Sequence, residues 1–185
     1  ARVGFARNAI VYRCVRMISE ASASVPWLVY EGAAEAADTH PLLALLARPN
    51  RRQAGADFRE SLAGHLLVSG NAYVEAVTAS DAGASTGGDV RELHTLRPDR
   101  MKVVPGTDGW PEAYEYSVAG RSMRFPVPGD GVSPILHLSL FHPLDDHYGF
   151  APIEAAAVAL DLHNAAGAWN KALLDNSARP SGALV

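Results

Sequence analysis

The strongest constraint on the fold is a change in the spacing of apolar residues at Gly70. Before this glycine, apolar residues recur at steps of three and four, which is the spacing of a helix buried on one side. After it come short segments with alternating side chains, separated by turn residues, which predicts strands. We expect these strands at residues 73–77, 90–96, 101–104, 113–118, 122–127 and 135–140. This order predicts an α+β fold in which N-terminal helices precede an antiparallel sheet or small barrel.

The first helix is predicted over residues 8–24, with Asn8 as its N-cap. One face of this helix is expected to carry Ile10, Val11, Cys14, Val15, Ile18 and Ala21. We therefore expect Cys14 to be buried as a small apolar residue. Because Cys14 is the single cysteine of the chain, an internal disulfide is excluded.

Two further helices are expected before Gly70. The first is short and apolar, over residues 40–47. In the second, Asp57 and Glu60 have the spacing of a capping box, which predicts that the helix begins at Asp57. Gly70 stands where a C-cap glycine would end it. Farther along, a stretch rich in Gly and Ser at residues 81–89 predicts a hairpin loop.

The longest helix is predicted over residues 152–176, a rod of roughly 35 Å at ~1.5 Å per residue. It is rich in alanine, so its surface permits close approach of another helix. Glu154, Asp161 and Asp175 recur in it at multiples of seven and drift by only ~20° per heptad, which makes them one acidic stripe.

This stripe has two interpretations. It could be a solvated face of the helix. Alternatively, helices from several copies of the chain could pack side by side, with the three carboxylates facing a water-filled channel. In that arrangement Ile153, Ala157 and Leu160 are the residues expected to pack against neighbouring helices.

Five potential metal ligands lie close together, namely His137, His142, Asp145, Asp146 and His147. They could hold the metal of a hydrolase, but their spacing matches no familiar ligand pattern. Three of them lie in a loop bounded by proline and glycine, where polar residues are expected in any case. A structural role is therefore favoured, and we expect no metal, no cofactor and no catalytic residue. A metal-dependent hydrolase is the alternative.

The charge balance excludes some classes of function. With 16 basic and 20 acidic residues the formal net charge is -4, whereas a domain that reads DNA sequence normally carries a basic face, so recognition of a specific DNA sequence is not expected.

The longest apolar runs fall far short of the ~20 residues that a membrane-spanning helix requires, so no membrane association is expected.

Several short motifs, in this order, resemble those of portal proteins from tailed double-stranded DNA bacteriophages. They lie at residues 8–15, 23–27, 40–42, 48–50, 70–75, 93–101, 148–156 and 176–182, and so span nearly the whole chain. Among them are Gly70-Asn71-Ala72-Tyr73 and Tyr148-Gly149-Phe150-Ala151-Pro152. The sequence departs from the family pattern at Ala151, where serine is common, and at Ser177, where glycine is common.

The resemblance implies a domain organisation. Residues 1–150 would form the peripheral wing, residues 151–177 the first stem helix, and residues 178–185 the start of the clip. The chain is then expected to be a fragment of a longer protein.

The resemblance also implies a function. The protein would not be an enzyme but a subunit of a dodecameric ring at one capsid vertex, through which DNA is packaged and ejected. The implied partners are the major capsid protein, the terminase large subunit, a head–tail adaptor protein and double-stranded DNA bound non-specifically. The implied location is a virion or phage-like particle, from a phage, prophage or gene transfer agent, assembled in the cytoplasm of a bacterial host. A monomeric adaptor domain is a further alternative.

Overall fold

The computed structural model describes residues 2–31, 34–35, 40–78, 89–130 and 132–176. The helices are α1 (Arg2–Arg7), α2 (Ala9–Ser24), α3 (Pro41–Ala47), α4 (Gly55–Ser69), α5 (Pro152–Ala155) and α6 (Ala157–Asp175). The strands are β1 (Tyr30–Glu31), β2 (Ala34–Glu35), β3 (Asn71–Thr78), β4 (Val90–Leu96), β5 (Met101–Pro105), β6 (Pro111–Val118), β7 (Arg121–Pro126) and β8 (Ile135–Ser139). The predicted clip and all of the predicted hairpin loop except Asp89 lie outside the described residues.

All strand pairs in the described residues are antiparallel, which confirms the α+β class. Strands β4, β3 and β8 form one sheet in that order, here termed the inner sheet, and β5, β6 and β7 form a second, the outer sheet. Strands β1 and β2 pair separately. A single sheet or barrel was expected; two sheets form because β8 returns to β3, with Tyr73 opposite His137, instead of continuing from β7.

Helix α2 buries a face that overlaps the predicted one only at Val11 and Val15. Its buried residues recur at steps of four and pack towards α4: Val11, Val15, Ser19 and Ala23. Cys14 is exposed, so the prediction that it is buried was wrong. The helix carries apolar side chains on two faces, and Ile10 and Ile18 lie on the exposed one.

Helix α4 begins at Gly55, two residues before the predicted start. Asp57 is therefore the third helical residue and not the N-cap, and its Oδ2 accepts a hydrogen bond from the Ala54 N–H at 3.2 Å. This bond replaces the predicted capping box of Asp57 with Glu60. At the other end, Gly70 has a φ of 73° and ends the helix as expected.

The inner sheet lies between α4 and the outer sheet. Because side chains alternate along β3, Ala72 and Val74 pack against Phe58 and Leu62 of α4, while Tyr73 faces the outer sheet. The core between the two sheets contains Tyr73, Leu96, Met101, Val103, Tyr114 and Ile135. The layers are thus α2, α4, inner sheet and outer sheet.

A buried asparagine covers the outer edge of β4. The Pro49 carbonyl accepts a hydrogen bond from the Leu93 N–H at 2.8 Å, and Asn50 Nδ2 donates to the Leu93 carbonyl at 2.8 Å. Asn50 Oδ1 accepts from the N–H groups of Arg52 and Gln53, both at 2.9 Å. A loop therefore satisfies backbone groups at Leu93 that would otherwise need a fourth strand.

The long helix predicted over residues 152–176 is divided at Ala156. This residue has φ −91° and ψ 4°, outside the helical region, and separates α5 from α6. Helix α5 packs against α4, whereas α6 has 19 residues and a length of ~28 Å. Among the described residues, no helix combines the length and hydropathy needed to cross a membrane.

Candidate functional site

The segment that leads into α5 meets the body of the chain at Gly149. A Cβ added to Gly70 would lie 2.2 Å from the Gly149 oxygen, and a Cβ added to Gly149 would lie 2.1 Å from the Gly70 oxygen. Both distances are too short for any side chain, so this approach requires glycine at both positions. We term Gly70, Asn71, His137 and Gly149 the junction.

Asn71 holds the junction together with both ends of its buried amide. Its Oδ1 accepts hydrogen bonds from the Gly149 N–H at 2.8 Å and from His137 Nε2 at 2.9 Å. Its Nδ2 donates to the Ser69 carbonyl at 2.8 Å. Because a backbone N–H can only donate, Oδ1 is identified, and His137 must carry its proton on Nε2.

His137 is a neutral structural residue. Its ring stacks on Tyr73 with 4.3 Å between the ring centroids. Burial, with a smaller contribution from His147, lowers the pKa of His137 to about 4. At neutral pH the side chain is therefore uncharged, and its Nε2–H is engaged by Asn71.

Two other members of the predicted metal-ligand cluster, His142 and Asp145, support the turn before the junction. His142 Nδ1 accepts from the Leu144 N–H at 3.0 Å. Asp145 Oδ1 accepts from the N–H groups of His147 and Tyr148, both at 2.8 Å, and these bonds lower the pKa of the carboxyl group. Within the part of the chain that the structure describes, no three potential ligands could hold a metal ion. The geometry therefore does not support a metal-dependent hydrolase.

Helix α6 has no buried residue. Four of its exposed side chains lie within about 60° of one another on the helix surface, at 3.6 residues per turn. They are Val158, Leu162, Trp169 and Leu173, here termed the apolar face. Sequence reasoning on this helix followed the acidic stripe and missed this face, although steps of four, seven and four were visible in the sequence.

The predicted channel-facing carboxylates are exposed but do not share one helix. Glu154 belongs to α5, while Asp161 and Asp175 belong to α6, and the break at Ala156 separates them. Asp175 forms an ion pair with Lys171 one turn earlier. Only Asp161 and Asp175 therefore form a stripe on a single helix.

The residues predicted to pack against neighbouring helices differ in exposure. Ile153 and Leu160 are half-buried within their own chain, while Ala157 is exposed. Their assignment to an interface between subunits stays a prediction.

On the side of α6 opposite its apolar face, the helix contacts the start of α2. Asn8 Nδ2 donates to His163 Nδ1 at 3.2 Å and to Asn164 Oδ1 at 2.9 Å. The sequence indicated Asn8 only as a helix cap, because nothing local reveals a partner so distant in the chain.

These features define a class of protein: an α+β chain of helices and two antiparallel sheets, with one helix whose apolar face is exposed among the described residues. The chain belongs to the phage portal protein family, because the sequence model of that family (Phage portal protein) matches residues 9–185.

Two bacterial relatives match nearly the whole chain. A functionally uncharacterised protein of Rickettsia bellii (strain RML369-C) is 38% identical over 189 residues, which cover 100% of this chain and 47% of the relative. A second uncharacterised protein, from Rickettsia felis (strain ATCC VR-1525 / URRWXCal2), is 35% identical over 183 residues, which cover 98% of this chain and 45% of the relative. The chain thus spans about half the length of these relatives.

Solved structures of gene transfer agent (GTA) particles contain similar chains. One is from the neck of an empty GTA particle computed with C6 symmetry, with a TM-score of 0.85 and 50% identity over 100% of this chain and 47% of the other. Another is from the neck of the native particle computed with C12 symmetry, with a TM-score of 0.82 and 52% identity over 98% and 46%. A chain of the native GTA virion has a TM-score of 0.81 and 52% identity over 100% and 46%.

Proposed function

We propose that this chain is the wing, first stem helix and clip start of a portal subunit, at residues 1–150, 151–177 and 178–185. The observation that carries the proposal is the 52% identity to a chain in the neck of a native GTA particle. The inner and outer sheets with α2 and α4 then form the wing, and α6 is the described part of the stem helix.

The subunit assembles into a dodecameric ring at one vertex of a virion or phage-like particle, through which DNA is packaged and ejected. The C12 symmetry of the related neck supports this stoichiometry. The exposed apolar face of α6 supports side-by-side packing of stem helices. The ring has no catalytic role; its partners are the major capsid protein, the terminase large subunit and a head–tail adaptor protein.

The channel is lined by Glu154, Asp161 and Asp175. Duplex DNA must slide through a portal, and a basic lining would hold its phosphates through counterion release. Carboxylates keep contacts with the duplex weak and independent of sequence. The net charge of -4 supports this arrangement.

Electron microscopy of the full-length protein tests the proposal, combined with light scattering to measure its mass. We expect rings with a central hole and the mass of twelve subunits. A stable monomer would contradict the proposal and support the adaptor alternative. A melting temperature that falls on chelation and recovers with a divalent metal would instead favour the hydrolase alternative.

A further inference from the structure

One buried side chain connects the start of α2 to the middle of α6. Asn8 is 4% exposed, and its Nδ2 donates to His163 and Asn164, which lie 155 and 156 positions away. Its Oδ1 accepts from the N–H groups of Ile10 and Val11 at 3.0 and 3.1 Å. The amide therefore uses both of its donors and both acceptor positions.

We term the hydrogen bonds from Asn8 to His163 and Asn164 the bridge. The side-chain amide of Asn8 can have only one orientation in it. The two backbone N–H groups identify the oxygen of Asn8 and direct its NH₂ group towards α6. Asn164 must then present its Oδ1, and His163 the lone pair of its Nδ1. Asn164 Nδ2 is buried without a partner among the described residues, so reversing this amide would place two donors against each other.

Besides these hydrogen bonds, the short helix α1 also contacts α6, but α6 is otherwise largely exposed among the described residues. No residue of α6 is fully buried, although Leu160 and Asn164 are half-buried, and the non-helical Ala156 separates α6 from α5. The bridge lies seven to eight residues beyond this break, or ~11 Å along the axis. The break at Ala156 would allow α6 to turn, and the hydrogen bonds from Asn8, together with the contact between α6 and α1, would limit that movement.

We propose that Asn8 is a positioning residue that fixes the direction of α6 relative to α2. This inference rests on the proposed function, because in a ring the direction of the stem helix determines how it meets its two neighbours. A small change of angle in one subunit would be repeated in every other.

Two variants break the bridge from opposite ends. Asn8→Ser keeps a side-chain oxygen that can cap α2, but serine is too short to reach α6. Asn164→Ala combined with His163→Ala removes both acceptors and leaves the cap intact. Asn170→Ala, at an exposed position of the same helix, is the matched control.

The readout is the distance between spin labels on cysteines placed at the exposed Met17 and Lys171, in a Cys14→Ser background. Pulsed EPR on the full-length protein, diluted with unlabelled subunits, measures this distance within one chain. We expect the distribution to become at least about twofold broader in both bridge variants, since a helix freed at one end samples more directions. The control should match the unaltered protein.

Unchanged distributions in both bridge variants would overturn the proposal. Broadening in Asn8→Ser alone would also overturn it, because the effect would then come from the cap of α2. If the unaltered protein formed no rings, the proposed function would fail while the distance result would stand.

Discussion

Gly70 and Gly149 touch backbone to backbone, a contact that is possible only because neither residue has a Cβ. The Leu140 N–H reaches the same place and donates to the Gly70 carbonyl at 2.8 Å. The end of α4, the end of β8 and the segment before α5 therefore meet at one point. The junction sets where the final helices leave the body of the chain.

Replacing Gly149 with alanine tests this contact. The added Cβ would overlap the backbone of Gly70 and Leu140, which cannot move without breaking the inner sheet. We expect Gly149→Ala to lower the free energy of unfolding by about 2 kcal/mol or more. Gly129→Ala is the control, because a Cβ there meets nothing within 4 Å; its effect should stay within ~0.5 kcal/mol. Equal urea midpoints for the two variants would contradict the prediction.

The junction should make stability depend on pH. The pKa of His137 is about 4 in the folded protein and ordinarily 6.5, so the unfolded chain binds the proton more readily. The stability that neutral His137 contributes is therefore complete above about pH 6.5. It is lost as the pH falls towards about 4, because the unfolded chain then gains a proton that the folded chain does not take up. Urea unfolding at about pH 7 and pH 5 should show a smaller loss for His137→Gln than for the unaltered protein.

His65 is an internal reference for that experiment. Burial lowers its pKa as well, so it contributes a loss of the same sign and is present in both proteins. If both proteins lost the same stability, the assignment to His137 would be wrong.

The same substitution at two adjacent positions of α2 should have very different effects on stability. Val15 is 9% exposed and faces α4, so Val15→Asp would bury an unpaired charge and cost roughly 3 kcal/mol or more. Cys14 is exposed, and Cys14→Asp should change stability by no more than ~0.5 kcal/mol. Chemical denaturation followed by circular dichroism measures both. A severe loss of stability in the Cys14 variant would instead support the original prediction that Cys14 is buried.

The apolar face of α6 should be needed for assembly but not for folding. Leu162 and Trp169 are 67% and 65% exposed, so Leu162→Asp and Trp169→Asp should leave the melting temperature of the folded chain nearly unchanged. In the full-length protein we expect both to prevent ring formation, because a buried carboxylate at a helix interface is costly. Light scattering after size exclusion gives the mass. Asn170→Asp adds the same charge outside the apolar face and should still form rings; normal rings from Leu162→Asp would exclude this face from the interface.

Charge reversal in the proposed channel should slow DNA movement. Glu154→Lys with Asp161→Lys should leave rings intact but reduce the rate of packaging, since each cation strengthens the hold on phosphates. The defect should ease with added salt, because exposed charges more than ~10 Å apart are screened at about 0.1 M. The control pair is Asp89→Lys with Asp130→Lys, at exposed positions of the proposed wing. A normal rate at low salt would contradict the channel assignment.

The strands of the inner and outer sheets were predictable because local pattern and tertiary packing agree there. Strand β4 matches its expected bounds, and the ends of the other five differ by one or two residues. The buried face of α2 was harder to predict because apolar residues lie on two of its faces. The face that is buried also includes a polar residue, Ser19. The break at Ala156 had no local signal at all. Alanine is the best helix former, so only contacts elsewhere in the fold can interrupt a helix there.

Three asparagines with structural roles lie in the sequence motifs that resemble portal proteins, but the sequence does not reveal those roles. Asn8, Asn50 and Asn71 are all buried, and each lies in a segment that carried the resemblance. Besides local hydrogen bonds, each has a hydrogen-bond partner that lies between 43 and 156 positions away. Such pairings depend on the completed topology, so a single sequence cannot specify them.

The loop that covers β4 also bears on aggregation. A strand with free outward N–H and C=O groups is a template for the same strand of another molecule, and the hazard grows when many copies gather in one place. With the outward groups of Leu93 already occupied by Pro49 and Asn50, a second molecule cannot extend the inner sheet at that point. Contact between copies at this strand edge is thereby disfavoured, which leaves association to other surfaces, such as the proposed interface on α6.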